Sequence, residues 1–177
     1  MTVIKNRNFE NISHSEISFL SSFINSNKES TLFHTFEWNK AIKSYLGTKG
    51  IILMAYQDNT LVGSYIYFES SKFFFFKVTQ GSALETPYGG PIAKDNNSEI
   101  LQALIVEHEN LSKSIMSYVL TSPYWNSNAL DNLGYNVGPL DQEVSIIKLE
   151  KDAESQLRKF NKKKRWDINK GIKEGVQ

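Results

Sequence analysis

Apolar positions along this chain change spacing as it proceeds, and the changes divide it into helices and strands. Ile17, Leu20, Phe23 and Ile24 recur at helical spacing and predict a first helix. Ser13 and Glu16 have capping-box spacing at its start, and Ile12 with Ile17 suits a hydrophobic staple. The polar run from Asn25 to Ser30 ends it. Trp38, Ala41, Ile42 and Tyr45 repeat the spacing, with Thr35 placed as the N-cap and Gly47 as the C-cap glycine of a second helix. The pattern then turns continuous. Ile51 to Tyr56, Leu61 to Phe68 and Phe73 to Val78 are apolar runs joined by Gln57-Asp58-Asn59 and Ser70-Ser71-Lys72. Two short turns between three such runs predict an antiparallel meander. Four consecutive phenylalanines, Phe73 to Phe76, suit a strand covered on both faces.

The stretch Thr86-Pro87-Tyr88-Gly89-Gly90-Pro91 follows that strand. Paired glycines open backbone angles closed to other residues. The flanking prolines fix φ and stiffen the turn. Tyr88 is thereby expected on rigid backbone at a sheet end, where ligands commonly dock. An ordinary structural turn is the plain alternative. A helix is predicted from near Ser98, capped through Asn96 and Glu99, with Leu101, Leu104, His108 and Leu111 on one face and Ile100 and Ile105 widening it. Ile115 to Thr121 is expected as a strand, Asn126 to Leu133 as a short helix closed by Gly134, and Val144 to Leu149 as a strand. From Asp152 onward the pattern is helical and highly charged, with Leu157, Phe160, Ile168 and Ile172 as its apolar stripe. A mixed sheet with helices on both faces is the natural packing of these elements.

Composition narrows the function classes. The 177 residues are 40% hydrophobic and 22% charged, with a net charge of +1, which describes a globular domain with a real core. The absence of cysteine excludes a disulfide framework and thiolate metal sites. No apolar run reaches membrane-spanning length, and no cationic-then-apolar leader opens the chain. The expected location is the cytoplasm. Net charge argues against a wholesale nucleic-acid binder, but the basic residues crowd the C-terminal end. Arg158, Lys159, Lys162, Lys163, Lys164 and Arg165 form the one strong charge feature. The plain reading is a solvated helix face. Against it stand contact with a diphosphate and contact with a tRNA backbone.

The element order looks like the GNAT acyltransferase fold. That makes the fold class α+β, a mixed, mostly antiparallel sheet flanked by helices. The succession Phe33-His34-Thr35-Phe36-Glu37-Trp38, Pro87-Tyr88-Gly89-Gly90-Pro91, Leu133-Gly134-Tyr135 and Lys164-Arg165-Trp166-Asp167-Ile168-Asn169-Lys170-Gly171-Ile172-Lys173-Glu174-Gly175-Val176 resembles the FemAB family. These are peptidoglycan interpeptide-bridge aminoacyltransferases built from two GNAT-like domains. The resemblance spans the chain but only the family's N-terminal half, and Asn169 and Gly171 depart from the family's basic helix. It implies a GNAT-like, acceptor-binding domain over residues 1–150. Residues 151–177 then form a basic helix leading to a second GNAT-like domain in cis, which the chain lacks, leaving it inactive alone. The implied acceptor is an amine of a cell-wall peptide precursor, and an aminoacyl-tRNA is one open choice of donor. An N-acyltransferase acting on another small amine, and a non-catalytic module for peptide or glycan, are the alternatives.

On that reading the substrate-binding candidates are Trp38, Glu85, Tyr88, Gly89, Gly90 and Arg165. Lys162, Lys163, Lys164 and Arg165 are the candidates for phosphate or tRNA contact. Each has a plain alternative: core packing for Trp38, a sheet-edge cap for Tyr88, an exposed loop carboxylate for Glu85. His14, His34 and His108 lack a metal-ligand partner at useful spacing and read as structural histidines. No metal and no cofactor is expected. No Gly-x-Gly pyrophosphate loop opens a helix, as acetyl-CoA binding would need, and no catalytic base stands out.

Overall fold

The structure, a computed structural model, describes residues 1–72, 76–81, 88–114, 116–119, 135 and 150–175. Two compact units divide the chain, residues 1–136 and residues 137–177.

The first unit opens with strand β1 (Val3–Asn8), followed by helix α1 (His14–Ser26). A short 3₁₀ turn (Leu32–His34) leads into helix α2 (Phe36–Leu46). Strands β2 (Lys49–Gln57), β3 (Thr60–Lys72) and β4 (Phe76–Gln80) come next. Strand β5 (Ile92–Ala93), helix α3 (Ser98–Ser112) and strand β6 (Met116–Tyr118) complete its described elements. The sheet order is β1-β2-β3-β4-β6, with β5 paired to β3. Every pairing is antiparallel except β4 with β6. The architecture is therefore α+β around a mixed, mostly antiparallel sheet. The expected meander is β2, β3 and β4. Asp58 and Asn59 both take left-handed φ at its first turn, the geometry that matches strand twist in a tight hairpin.

Alternation along β2 builds both layers. Ile51, Leu53 and Ala55 join Tyr65, Tyr67 and the α3 residues Ile100, Leu101 and Leu104 in one core. Ile52 and Met54 point the other way, into a core with Leu20, Phe23 and Ile24 of α1 and Phe36 of α2. Successive strand side chains face opposite sides, so one strand serves two helical layers.

Local chemistry sets the ends. Ser13 caps α1 with the full reciprocal box to Glu16, and Gly47 ends α2 at φ 61°. Four sequence expectations need correction. Strand β1 was not expected, because Val3-Ile4-Lys5-Asn6-Arg7-Asn8 carries few apolar residues; it pairs at the sheet edge with β2, where polar strands belong. The cap of α3 is Asn97, whose side chain accepts from the Glu99 and Ile100 amides, whereas Asn96 sits one residue earlier at φ 53°. The inward face of α2 carries Phe36 and Asn39, leaving Ala41 and Tyr45 exposed. Leu111 of α3 is exposed, and Ser112 is buried instead.

The second unit holds two described helices, α4 (Ala153–Lys159) and α5 (Lys162–Lys173). The single apolar stripe expected here is broken. Phe160 is extended between the two helices, and Asn161 caps α5 through the Lys164 amide. The expected helix over Asn126 to Leu133, the strand over Val144 to Leu149, and Phe73 to Phe75 lie outside the described residues.

Candidate functional site

The Tyr88 turn and the segment before α2 meet at one place in the first unit. Thr35 caps α2 by accepting from the Trp38 amide, which sets the first helical turn and the place of Trp38. The indole stands edge-on to Phe33, with ring centroids 5.3 Å apart at 79°. Phe33 in turn contacts Tyr88 at 6.0 Å and 56°. Edge and tilted contacts at this separation match the quadrupoles of aromatic rings. All three residues are half-buried, so together they form a continuous aromatic face. The Tyr88 hydroxyl is buried. The accessible part of half-buried Tyr88 is therefore its ring.

His34 fixes this face to the turn. Its Nδ1 lies 3.0 Å from the Thr31 amide nitrogen. A backbone N–H only donates, so Nδ1 is the acceptor and the proton sits on Nε2. Nε2–H then donates to the Gly89 carbonyl at 3.2 Å. Burial holds the imidazole below the ordinary histidine range, offset in part by the bonds to Gly89 and Thr31. His34 is therefore a neutral clamp with both nitrogens engaged, and not a free base. Gly90 adopts φ 79°, a left-handed conformation that favours glycine. Its amide donates to Gly81 O at 2.9 Å, and the Gly81 amide donates to Tyr118 O at 2.8 Å. The turn is thus tied to the end of β4 and onward to β6. Beneath it, Phe33, His34, Ser64, Gly89 and Gly90 line a cavity of about 10 Å³, room for one water.

The structure therefore brings together Trp38, Tyr88, Gly89 and Gly90 among the expected site residues. It adds Phe33 and His34, which sequence reasoning left without a role in the site. Their signal was the run Phe33-His34-Thr35 directly before a helix cap. Glu85 lies outside the described residues. Lys162, Lys163, Lys164 and Arg165 belong to the second unit, on α5, and are exposed there. They form no salt bridge among the described residues, unlike Arg158 with Glu154 and Lys170 with Glu174.

A second polar cluster lies where β4 and β6 run parallel. His108 of α3 is fully buried. Its Nε2 is 2.9 Å from Thr79 Oγ1, which is 2.8 Å from Ser117 Oγ. Tyr65 and Tyr67 stand edge-on to the imidazole at 5.3 Å and 4.5 Å. Burial pushes His108 down to about 4, against a small opposing effect of Glu69. His108 is neutral near pH 7, consistent with a structural histidine.

Among the described residues no group of His, Asp and Glu is placed to hold a metal ion. None of the described helices is long and apolar enough to cross a membrane.

No family model matches the chain, and no curated protein matches it. Solved structures show a distant likeness. One is a ribosomal-protein-alanine N-acetyltransferase from Brucella melitensis biovar Abortus 2308, 11% identical over 83% of this chain and 99% of that one, TM-score 0.47. A second is an acetyltransferase from Trypanosoma brucei, 12% identical over 81% of this chain and 100% of that one, TM-score 0.47. A third is a probable acetyltransferase, 12% identical over 84% and 99%, TM-score 0.44. Likeness at this level fixes neither a reaction nor a substrate.

Proposed function

We propose that the chain is the acceptor-binding part of a FemAB-like aminoacyltransferase, which delivers an aminoacyl group to an amine of a cell-wall peptide precursor. The observation that carries this reading is the Trp38–Phe33–Tyr88 face. Two of its segments are among those that resemble the family, and they lie far apart in sequence. The His34–Gly89 bond locks them together. Rigid aromatic surface suits a peptide or sugar, because it offers contact area with little rotamer entropy to lose. Residues 1–150 act as the acceptor domain, and residues 151–177 as the link to a second GNAT-like domain that brings the donor. Catalysis is then mostly positioning of the amine against an activated ester, a contribution of roughly 7–11 kcal/mol. Arg165, with Lys162, Lys163 and Lys164, supplies charge for the phosphates of the precursor or of an aminoacyl-tRNA.

Titration calorimetry with a nucleotide-linked muropeptide at two salt concentrations tests the reading. Arg165→Ala weakens binding and flattens its salt dependence, since a charge-assisted hydrogen bond contributes about 1.5–3 kcal/mol. Tyr88→Ala weakens binding and leaves the salt slope unchanged, because no charge is lost. Unchanged affinity of Arg165→Ala at low salt makes the basic run a solvated face. Unchanged affinity of Tyr88→Ala removes the aromatic face from the site.

A further inference from the structure

A larger cavity lies away from the Tyr88 turn. It measures about 570 Å³ and runs between α1 and the start of β3, within the size range of small-molecule sites. Phe19, Ser22, Phe23 and Ser26 line one wall. They fall at i, i+3, i+4 and i+7, so they share one helix face. Two serines on that face leave space that larger side chains would fill. Tyr56 and Leu61 line the opposite wall. Phe19 remains 60% exposed although it stands on the helix that carries core residues Leu20 and Phe23.

Charge at the cavity has both signs. Lys28, Glu29, Lys94 and Asp95 line it, two charges of each sign, and Lys28, Lys94 and Asp95 form no salt bridge among the described residues. The segment is firmly built. The Asn27 side-chain Nδ2 donates to Ala93 O at 2.9 Å, joining the end of α1 to β5. Asp95 is held at φ 54°. A purely anionic ligand would be repelled by Glu29 and Asp95, and a purely cationic one by the two lysines. An apolar body with both charges at one end meets no such repulsion.

We propose that this cavity binds a zwitterion with an aromatic side chain, of the free α-amino-acid type. The ring lies between Phe19 and Tyr56. The carboxylate faces Lys28 and Lys94, and the ammonium faces Asp95. This site shares no lining residue with the Tyr88 turn and stands independently of the acyltransferase reading.

Amide chemical shifts of the 177-residue chain, titrated with three probes, test it. The probes are L-phenylalanine, 3-phenylpropionate, which lacks the ammonium, and 2-phenylethylamine, which lacks the carboxylate. L-Phenylalanine is expected to shift the amides around Lys28, Thr60 and Asp95, and to bind about threefold or more tighter than either analogue, the scale of a partly exposed ion pair. Asp95→Asn reduces its advantage over phenylpropionate, and Lys94→Gln reduces its advantage over phenylethylamine. Phe19→Ala weakens all three, and its exposure means that the fold survives the change. The proposal is overturned by saturating L-phenylalanine that leaves these amides unmoved, or by equal affinity for the three probes.

Discussion

Two buried histidines stand in the first unit, and both are neutral for the same reason. Burial disfavours the imidazolium at His34 and at His108. A histidine whose folded pKa lies below its unfolded value binds fewer protons when native. Stability is then full above the unfolded value, near 6.5, and is lost as pH falls toward the folded value. For His108, at about 4 when folded, the loss between pH 7 and pH 5 is roughly 2 kcal/mol. His34 adds to it with the same sign. Urea unfolding at both pH values should therefore show the wild type weakened at pH 5 by at least about 2 kcal/mol. His108→Gln lowers stability at pH 7 but should lose less on acidification by about the same amount. An unchanged acid slope in that variant would mean that His108 already carries a proton when folded.

Elements were legible where one residue type had one role. The reciprocal box at Ser13 and Glu16 and the left-handed glycine at Gly47 sit where their chemistry requires. The hairpin turn was legible too, because Asp58 and Asn59 tolerate φ above zero. Legibility failed where neighbouring residues could serve equally. Asn96 and Asn97 are the same residue type, and only the observed bonds identify Asn97 as the cap. Strand β1 failed for another reason: an edge strand is specified by its partner's free backbone groups more than by its own side chains. The site shows both sides of this. Tyr88 and its glycines were visible as turn chemistry. The Phe33 and His34 contacts arise from tertiary pairing with residue 89, some 55 positions away, which periodicity does not report. Caps give the prediction at this scale. Asn97→Ala should cost about 1 kcal/mol of stability, read from the urea midpoint at constant m. Asn96→Gly, which tolerates the φ of 53° found there, should leave the α3 cap intact. Equal losses in the two variants would contradict the assignment.

For the molecule as a whole, stability should be uneven. Strands β2 and β3 carry residues of both core clusters, whereas α4 and α5 contain no buried residue. A helix of 12 residues is marginal in water without packing. Amides of α5 should therefore exchange far faster than those of β2 and β3. Equal protection would mean that α5 is packed, and the proposed link to a further domain would lose its support. The central claim concerns the aromatic face, and intermolecular nuclear Overhauser contacts test it most directly. With an amine-bearing stem peptide bound to the chain, contacts are predicted from the peptide to the rings of Trp38 and Tyr88. They should disappear in Tyr88→Ala. A saturated complex whose contacts fall only on the α1 groove or on α5, with none to Trp38 or Tyr88, would contradict the account.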